Sequence, residues 1–313
     1  VRKHITWVGL GLGALLLLVL PGLLGNYHLD VVTVVLIWAI GAMSLNLVLG
    51  YTGLASLGQA AFFGSAAYVV ALLSVKAGVT LLWIVLPLSV GVAALLGVVF
   101  AVLSLRAQGA YFLLLTMALA QLVWALVWRW RSLTGGDDGL PGIARPSLGI
   151  NWSLWPADNF YYFTLALFVA ASLLMYLIVS SPFGKSLVGI RESETRMSAL
   201  GYRVWWHKLL AFVLSAAFAG LAGALFAYRN GIAATSYLDV VTSAKLLLMV
   251  LVGGSGTFFG PIVGAAFLVL LENFVGAYTQ RWLLVMGLAY VGVVLFAPAG
   301  LVGLAGKRLR KQR

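Results

Sequence analysis

Few residues in this chain have the type and spacing that chemistry needs. Gly184-Lys185-Ser186 has the ending of a phosphate-binding loop, in which glycine backbone cradles phosphates and the lysine reaches the terminal ones. That loop needs a glycine five positions before Gly184, where Val179 stands, and Pro182 falls inside it. Nucleotide binding by this chain is therefore excluded. Gly9, Gly11 and Gly13 partly match a dinucleotide fingerprint, but no strand precedes them and they sit in an apolar run. Close helix packing accounts for them. His4, His28 and His207 are far apart in sequence, so a three-histidine metal centre is not expected. Asp137-Asp138 lacks the alternating ligands of a calcium loop. Asn151-Trp152-Ser153 is a formal glycosylation sequon, informative only in a secretory eukaryotic setting. With no cysteine, disulfide, thiolate and iron–sulfur chemistry are out. No histidine-activated serine or carboxylate pair stands out, so no catalytic residue, metal or cofactor is assigned to the chain.

The elements that hold these residues follow from composition. Of 313 residues, 63% are hydrophobic and 9% charged, with a mean hydropathy of +1.06. A soluble domain has about 25% charged residues, so this chain cannot cover a water-facing surface. An all-α, polytopic membrane protein is the expectation. Ten apolar stretches can be read, at 5–25, 31–49, 57–75, 81–104, 110–130, 159–180, 208–228, 241–253, 258–276 and 282–298. Most approach the roughly 20 residues that cross the hydrocarbon as a helix. With the N-terminus inside, thirteen Lys and Arg fall on inner segments and six on outer ones. The positive-inside rule then puts both termini in the cytoplasm. The net charge of +12 reflects orientation rather than nucleic acid, and the basic tail Lys307–Arg313 anchors on anionic lipid. The run after Arg2-Lys3-His4 reads as a first span rather than a signal peptide, because no small-residue cleavage site follows it.

Four features rise above this background. The inner loop 181–208 begins with the helix breakers Pro182 and Gly184. Leu187, Ile190, Met197 and Leu200 then recur at helical spacing, with Glu194 on the same stripe and Glu192–Arg196 as an i,i+4 pair. This predicts one amphipathic helix of about three turns, ended by Gly201, which lies either against a soluble partner or on lipid head groups. Second, the short span 241–253 runs into Gly253-Gly254-Ser255-Gly256-Thr257, and Gly50–Gln59 interrupts two other apolar runs. Short, glycine-broken segments point to a transport path, the alternative being plain tight turns. Third, Lys245 and Glu272 fall at similar depth in neighbouring spans, either as an ion pair or snorkelling outward. Fourth, Ser215, Ala219, Gly223 and Ala227 form one small-residue row and Ala216, Gly220 and Ala224 the next. Such rows pack helices closely, within the chain or against a second subunit.

Gly50–Gly64, Thr134-Gly-Gly-Asp-Asp-Gly-Leu140, Gly184–Gly201 with Lys208–Phe212, Gly253–Pro261 and Pro298–Gly303 together resemble the permeases of the high-affinity branched-chain amino-acid ABC importers. The M-type permease of the pair is the nearer likeness. The resemblance covers about residues 35 to 305 and is weaker for substrate than for family. It implies one transmembrane permease domain over 1–313 in a bacterial or archaeal plasma membrane, working by alternating access. The implied partners are a second permease, two ATPases that use ATP and magnesium, and a solute-binding protein docking near the external loop 131–158. The ATPase-coupling segment maps onto Ile190, Arg191, Glu192, Glu194, Arg196, Met197, Leu200 and Gly201. Thr195-Arg196-Met197 departs from the Glu-Ala-Ala of more distant ABC importers, so contacts do not transfer side chain by side chain. Path candidates are Asn46, Ser56, Gln59, Ser255 and Thr257. The rival readings are the same machine carrying urea or short amides, a stand-alone secondary transporter using Glu272, and an integral-membrane enzyme.

Overall fold

The structure, a computed structural model, describes residues 25–149 and 152–278, together with Pro21, 287–288 and 300–303. The expected spans 5–25 and 282–298 lie almost wholly outside the described residues, as do Gly9–Gly13, Asn151 of the sequon and the basic tail.

Helix α1 runs Asn26–Asn46 and continues as a wider turn over Leu47–Tyr51. Helix α2 runs Gln59–Ala71 and continues likewise to Lys76. Helices α3 (Leu82–Ser104) and α4 (Ala110–Arg129) follow, then the single turn α5 (Arg131–Thr134) and strand β1 (Leu140–Pro141). Helix α6 (Ala157–Ser180) leads into α7 (Pro182–Glu192), α8 (Glu194–Ala199) and the long α9 (Val204–Asn230). Strand β2 (Ile232–Ala233), α10 (Val240–Gly253) and α11 (Gly260–Tyr278) close the described order. Among the described residues seven helices, α1, α2, α3, α4, α6, α9 and α11, are long and apolar enough to cross a membrane. With no water in hydrocarbon to satisfy amides, long apolar segments must pair their own backbone, and helix is the form that does so. Eight of the ten expected stretches are thus helices, and the chain is an all-α polytopic membrane protein.

Helix α9 is the centre, packed on α1, α2 and α3. Its small residues explain how. A β-carbon at Gly223 would overlap the Phe63 carbonyl, and one at Gly220 would meet Ala93 and Ala66. Gly97 of α3 lies equally close to Ala216. The two small-residue rows therefore pack within the chain. Large apolar side chains such as Leu95, Leu122 and Leu174 point outward from α3, α4 and α6, as lipid or a neighbouring subunit requires.

The bundle has two ends. At one, β1 pairs antiparallel with β2, Leu140 opposite Ala233; this is the loop end. At the other, α7 and α8 form a hairpin. Between α9 and α10 the chain does something that hydropathy did not reveal. Leu238 rests on Gly64 in the second turn of α2, and Ser243 accepts from the Ala60 N–H at 2.9 Å. Residues 232–239 thus descend from the loop end alongside α2 as strand, 3-10 turn and extended chain. Helix α10 completes the crossing with 14 residues, about 21 Å. Such irregular backbone survives at depth because protein covers it: Leu238 and Ala233 are fully buried.

Candidate functional site

At the hairpin end, helix α6 stops at Ser180 because Ser181 turns extended and caps α7. Its hydroxyl accepts from Gly184 N at 3.3 Å, with Pro182 in the first turn. Pro182 breaks the preceding helix as expected, whereas Gly184 lies inside the new one. The single amphipathic helix expected from the apolar stripe is a correction: two helices are present. Ser193 goes extended (φ −163°, ψ 106°) and its hydroxyl accepts from Arg196 N. Here the N-cap preference of serine outweighs the continuous stripe. Glu192 and Arg196 therefore stand on different helices, and the expected i,i+4 pair does not form on one helix face. Glu194 is instead paired with the buried Lys208 at the start of α9. Leu187 and Ile190 are buried, Met197 folds back on Gly189, and Leu200 is exposed before Gly201, whose φ of +86° ends α8.

Arg191 ties this hairpin to the bundle. Its guanidinium donates to the Gly50 carbonyl in the wide turn after α1. Its aliphatic stem lies on Gly53 and its Nη1 beside Gly256. Gly53 and Gly256 have φ of +78° and +74°, which glycine adopts without steric cost. Asn46 holds the same joint from within. Its amide nitrogen donates to Thr257 O at 2.8 Å, and its amide oxygen accepts from Gly256 N at 2.9 Å. Thr257 Oγ1 in turn accepts from Gly260 N, capping α11. A β-carbon at Gly50 would overlap both Asn46 and Gly256, and one at Gly300 would overlap Gly254. The glycine turns around Gly50 and Gly256 are one joint in space, with backbone lying directly on backbone.

The other path candidates sit nearby in different roles. Ser56 Oγ accepts from Gly58 N, and Thr116 Oγ1 from Leu57 N. With Ser243 on Ala60, these side chains satisfy amides around the buried start of α2, donors that a helix N-terminus leaves orphaned. Gln59 is fully buried; its nitrogen donates to Ser215 Oγ at 2.8 Å, Ser215 donates to Ser44 O at 2.6 Å, and Gln59 Oε1 has no partner among the described residues. Ser255 is exposed in its turn. The structure thus joins Asn46 to Thr257 and leaves Ser56, Gln59 and Ser255 apart from that pair.

At the loop end a cavity of about 470 Å³ opens between α1, α9, α10 and α11. Lys245 and Glu272 are ion-paired in it, and Lys245 Nζ lies 4.5 Å from the centre of the Trp38 ring. A second pair joins Arg229 to both carboxylate oxygens of Asp30. This pair was missed because nothing local marks two residues 199 positions apart as neighbours. The connection from α5 to α6 is held close by. Thr134 Oγ1 donates to Val127 O and Trp130 O, and Arg145 donates to Leu154 O and Trp155 O at 2.7 Å. Burial pulls the Arg145 guanidinium below its ordinary pKa, while the nearby Asp30 charge pushes the other way. Asp137 and Asp138 are exposed, and no group of metal-ligating side chains occurs among the described residues.

The family described as "Branched-chain amino acid transport system / permease component" matches residues 27–298. The chain is 31% identical, over 93% of its length and 73% of theirs, to the high-affinity branched-chain amino acid transport system permease proteins LivM of Salmonella typhimurium and Escherichia coli. It is 32% identical, over 52% of its length and 49% of the relative's, to the autoinducer 2 import system permease protein LsrC of Salmonella paratyphi B. No solved structure matches it. The chain belongs to the family of branched-chain amino acid transport permeases.

Proposed function

We propose that this chain forms half of the membrane path of an ABC importer for branched-chain or similar apolar amino acids. A second permease completes the path, two ATPases bind at the hairpin end, and a solute-binding protein delivers cargo at the loop end. ATP hydrolysis belongs to the ATPases. The excess of Lys and Arg supports a cytoplasmic hairpin and cytoplasmic termini. The observation that carries the reading is the Arg191 joint. Residues 190–201 are the segment that the family likeness assigns to the ATPases, and Arg191 there bonds the backbone at the end of α1 and touches Gly256. ATP-driven movement of the hairpin then shifts α1, α10 and α11 together. Only a difference in affinity between two states can drive such a change, and the hairpin is where ATPase closure supplies it.

The test is Arg191→Ala and Glu194→Gln in the intact complex reconstituted in proteoliposomes. Leucine uptake should fall at least tenfold while ATPase activity becomes independent of the loaded binding protein. Uptake and stimulated ATPase both at wild-type levels would defeat the assignment.

A further inference from the structure

We propose that the cavity between α1, α9, α10 and α11 is a binding site for a zwitterionic amino acid. Lys245 receives the carboxylate, Glu272 and Asn273 receive the ammonium group, and Trp38, Phe226 and Val34 receive an apolar side chain. The proposal rests on the reading of the chain as an amino-acid permease, and adds where in the chain the cargo binds.

Size is the first argument. At about 470 Å³ the cavity falls within the range of small-molecule sites. Its charge is the second. The lining holds two cations, Arg229 and Lys245, and two anions, Asp30 and Glu272. A ligand with a single charge would leave that balance broken. A neutral apolar ligand would desolvate the charges and return nothing. A zwitterion offers each sign a partner.

The two ion pairs are not equivalent, and this places the head group. Both oxygens of Asp30 accept from Arg229, and Arg229 also donates to Asn230 Oδ1. Asn230 in turn donates to the Tyr237 hydroxyl at 2.7 Å. That pair is locked into a chain of bonds. The Lys245–Glu272 pair uses a single oxygen, Oε2. Glu272 Oε1 and Asn273 Oδ1 accept no bond from a described residue, while Asn273 Nδ2 donates to Val269 O. Lys245 has three N–H donors and one described acceptor. Unspent acceptors beside an unspent donor are what an ammonium and a carboxylate on one carbon require. The apolar floor adjoins them, since Lys245 lies over Trp38.

Depth adds to this. Lys245 is level with Trp38, near the middle of α1. The side chains of Lys245 and Glu272 are 21% and 29% exposed, and both line the cavity. Ionisable groups held at membrane depth are costly, and they mark solute paths.

The intact complex, in phosphatidylglycerol nanodiscs that present no zwitterionic lipid and without binding protein, is titrated with tritiated leucine by scintillation proximity. Unlabelled leucine, leucinamide and 4-methylpentanoate compete; the last two lack the carboxylate and the ammonium group. In wild type each analogue should compete at least tenfold more weakly than leucine. Lys245→Met should abolish the difference between leucine and leucinamide and preserve that for 4-methylpentanoate. Glu272→Gln should do the reverse. A pair that only clasps α10 to α11 would shift all three ligands equally, or none, and either result overturns the proposal. Val34→Trp fills the cavity without touching the pair and should abolish leucine binding; unchanged binding there, or no saturable binding in wild type, also overturns it. A complex that imports leucine normally through the Lys245 and Glu272 variants removes this site and leaves the proposed function standing. A wild-type complex with its binding protein that imports no amino acid removes the function itself.

Discussion

Asn46→Ala separates a clamp from a path residue. The side chain makes two bonds to the turn before α11, at 2.8 and 2.9 Å, and is 3% exposed. Alanine orphans the Gly256 N–H and the Thr257 carbonyl. A buried group left without its partner costs about 1–3 kcal/mol. Gly256 and Thr257 are only half-buried, so water recovers part of this, and the loss should be about 2–4 kcal/mol. At about 2 °C per kcal/mol for a chain of this size, the thermal midpoint should fall by about 4–8 °C. Asn46→Asp should fall further. It keeps an acceptor for Gly256 N but sets a carboxylate against the Thr257 carbonyl, where a donor stood. The assay is intrinsic-fluorescence melting of detergent-solubilised protein at matched concentration. An alanine variant within about 1 °C of wild type, or an aspartate variant more stable than the alanine one, would refute the clamp. A side chain that only touches cargo would change uptake and leave melting alone.

Two glycines of similar sequence context should behave oppositely. Gly223→Ala forces a β-carbon onto the Phe63 carbonyl and should cost about 1–3 kcal/mol or more, read as loss of the monodisperse peak in size-exclusion chromatography. Gly91→Ala meets nothing within 4 Å and should gain about 0.5–1 kcal/mol from helix propensity; a melting point below wild type would contradict that packing. Arg145→Met removes the donor that gathers the Leu154 and Trp155 carbonyls and also lies over the Phe160 ring. Limited proteolysis should then cut within 145–156 several times faster; an unchanged digestion pattern would show that the loop is held by other contacts.

What the sequence displayed was whatever depends on near neighbours along the chain. Long apolar runs became helices because the solvent leaves backbone amides no other partner. The α9 rows were legible because small residues at i,i+4 lie on one face. The Lys245–Glu272 pair was legible as one of two outcomes, since an antiparallel turn puts both at one depth. Features of tertiary arrangement were hidden. Asn46 at one glycine turn bonds Gly256 at another, 210 positions on, and neither turn alone says that it touches the other. The descent of 232–239 beside α2 has no hydropathy signal, because its cover comes from other helices. The break at Ser193 was readable in principle: a serine with an acidic residue next to it is an N-cap signal, and the longer apolar stripe masked it.

The joint and the cavity are linked by a single rigid element. Helix α10 ends at Gly253; Gly300 lies against Gly254, and the hairpin and the end of α1 meet Gly256 in the turn that follows. Lys245 lies eight residues earlier on the same helix, about 12 Å away. Helix α10 is nearly free of slack along that length, with Leu246, Met249, Val250 and Val252 fully buried and Leu246 seated on Gly41. Helix α11, which carries Glu272, starts from the same turn under the Thr257 cap. Under the proposed function, a displacement entering at Arg191 would reach the bases of both helices that hold the Lys245–Glu272 pair. A close-packed core passes such a shift on rather than absorbing it, because packed side chains have few voids to yield into. Glycine at the joint brings backbone onto backbone, so no side-chain rotamers lie there to take up a movement.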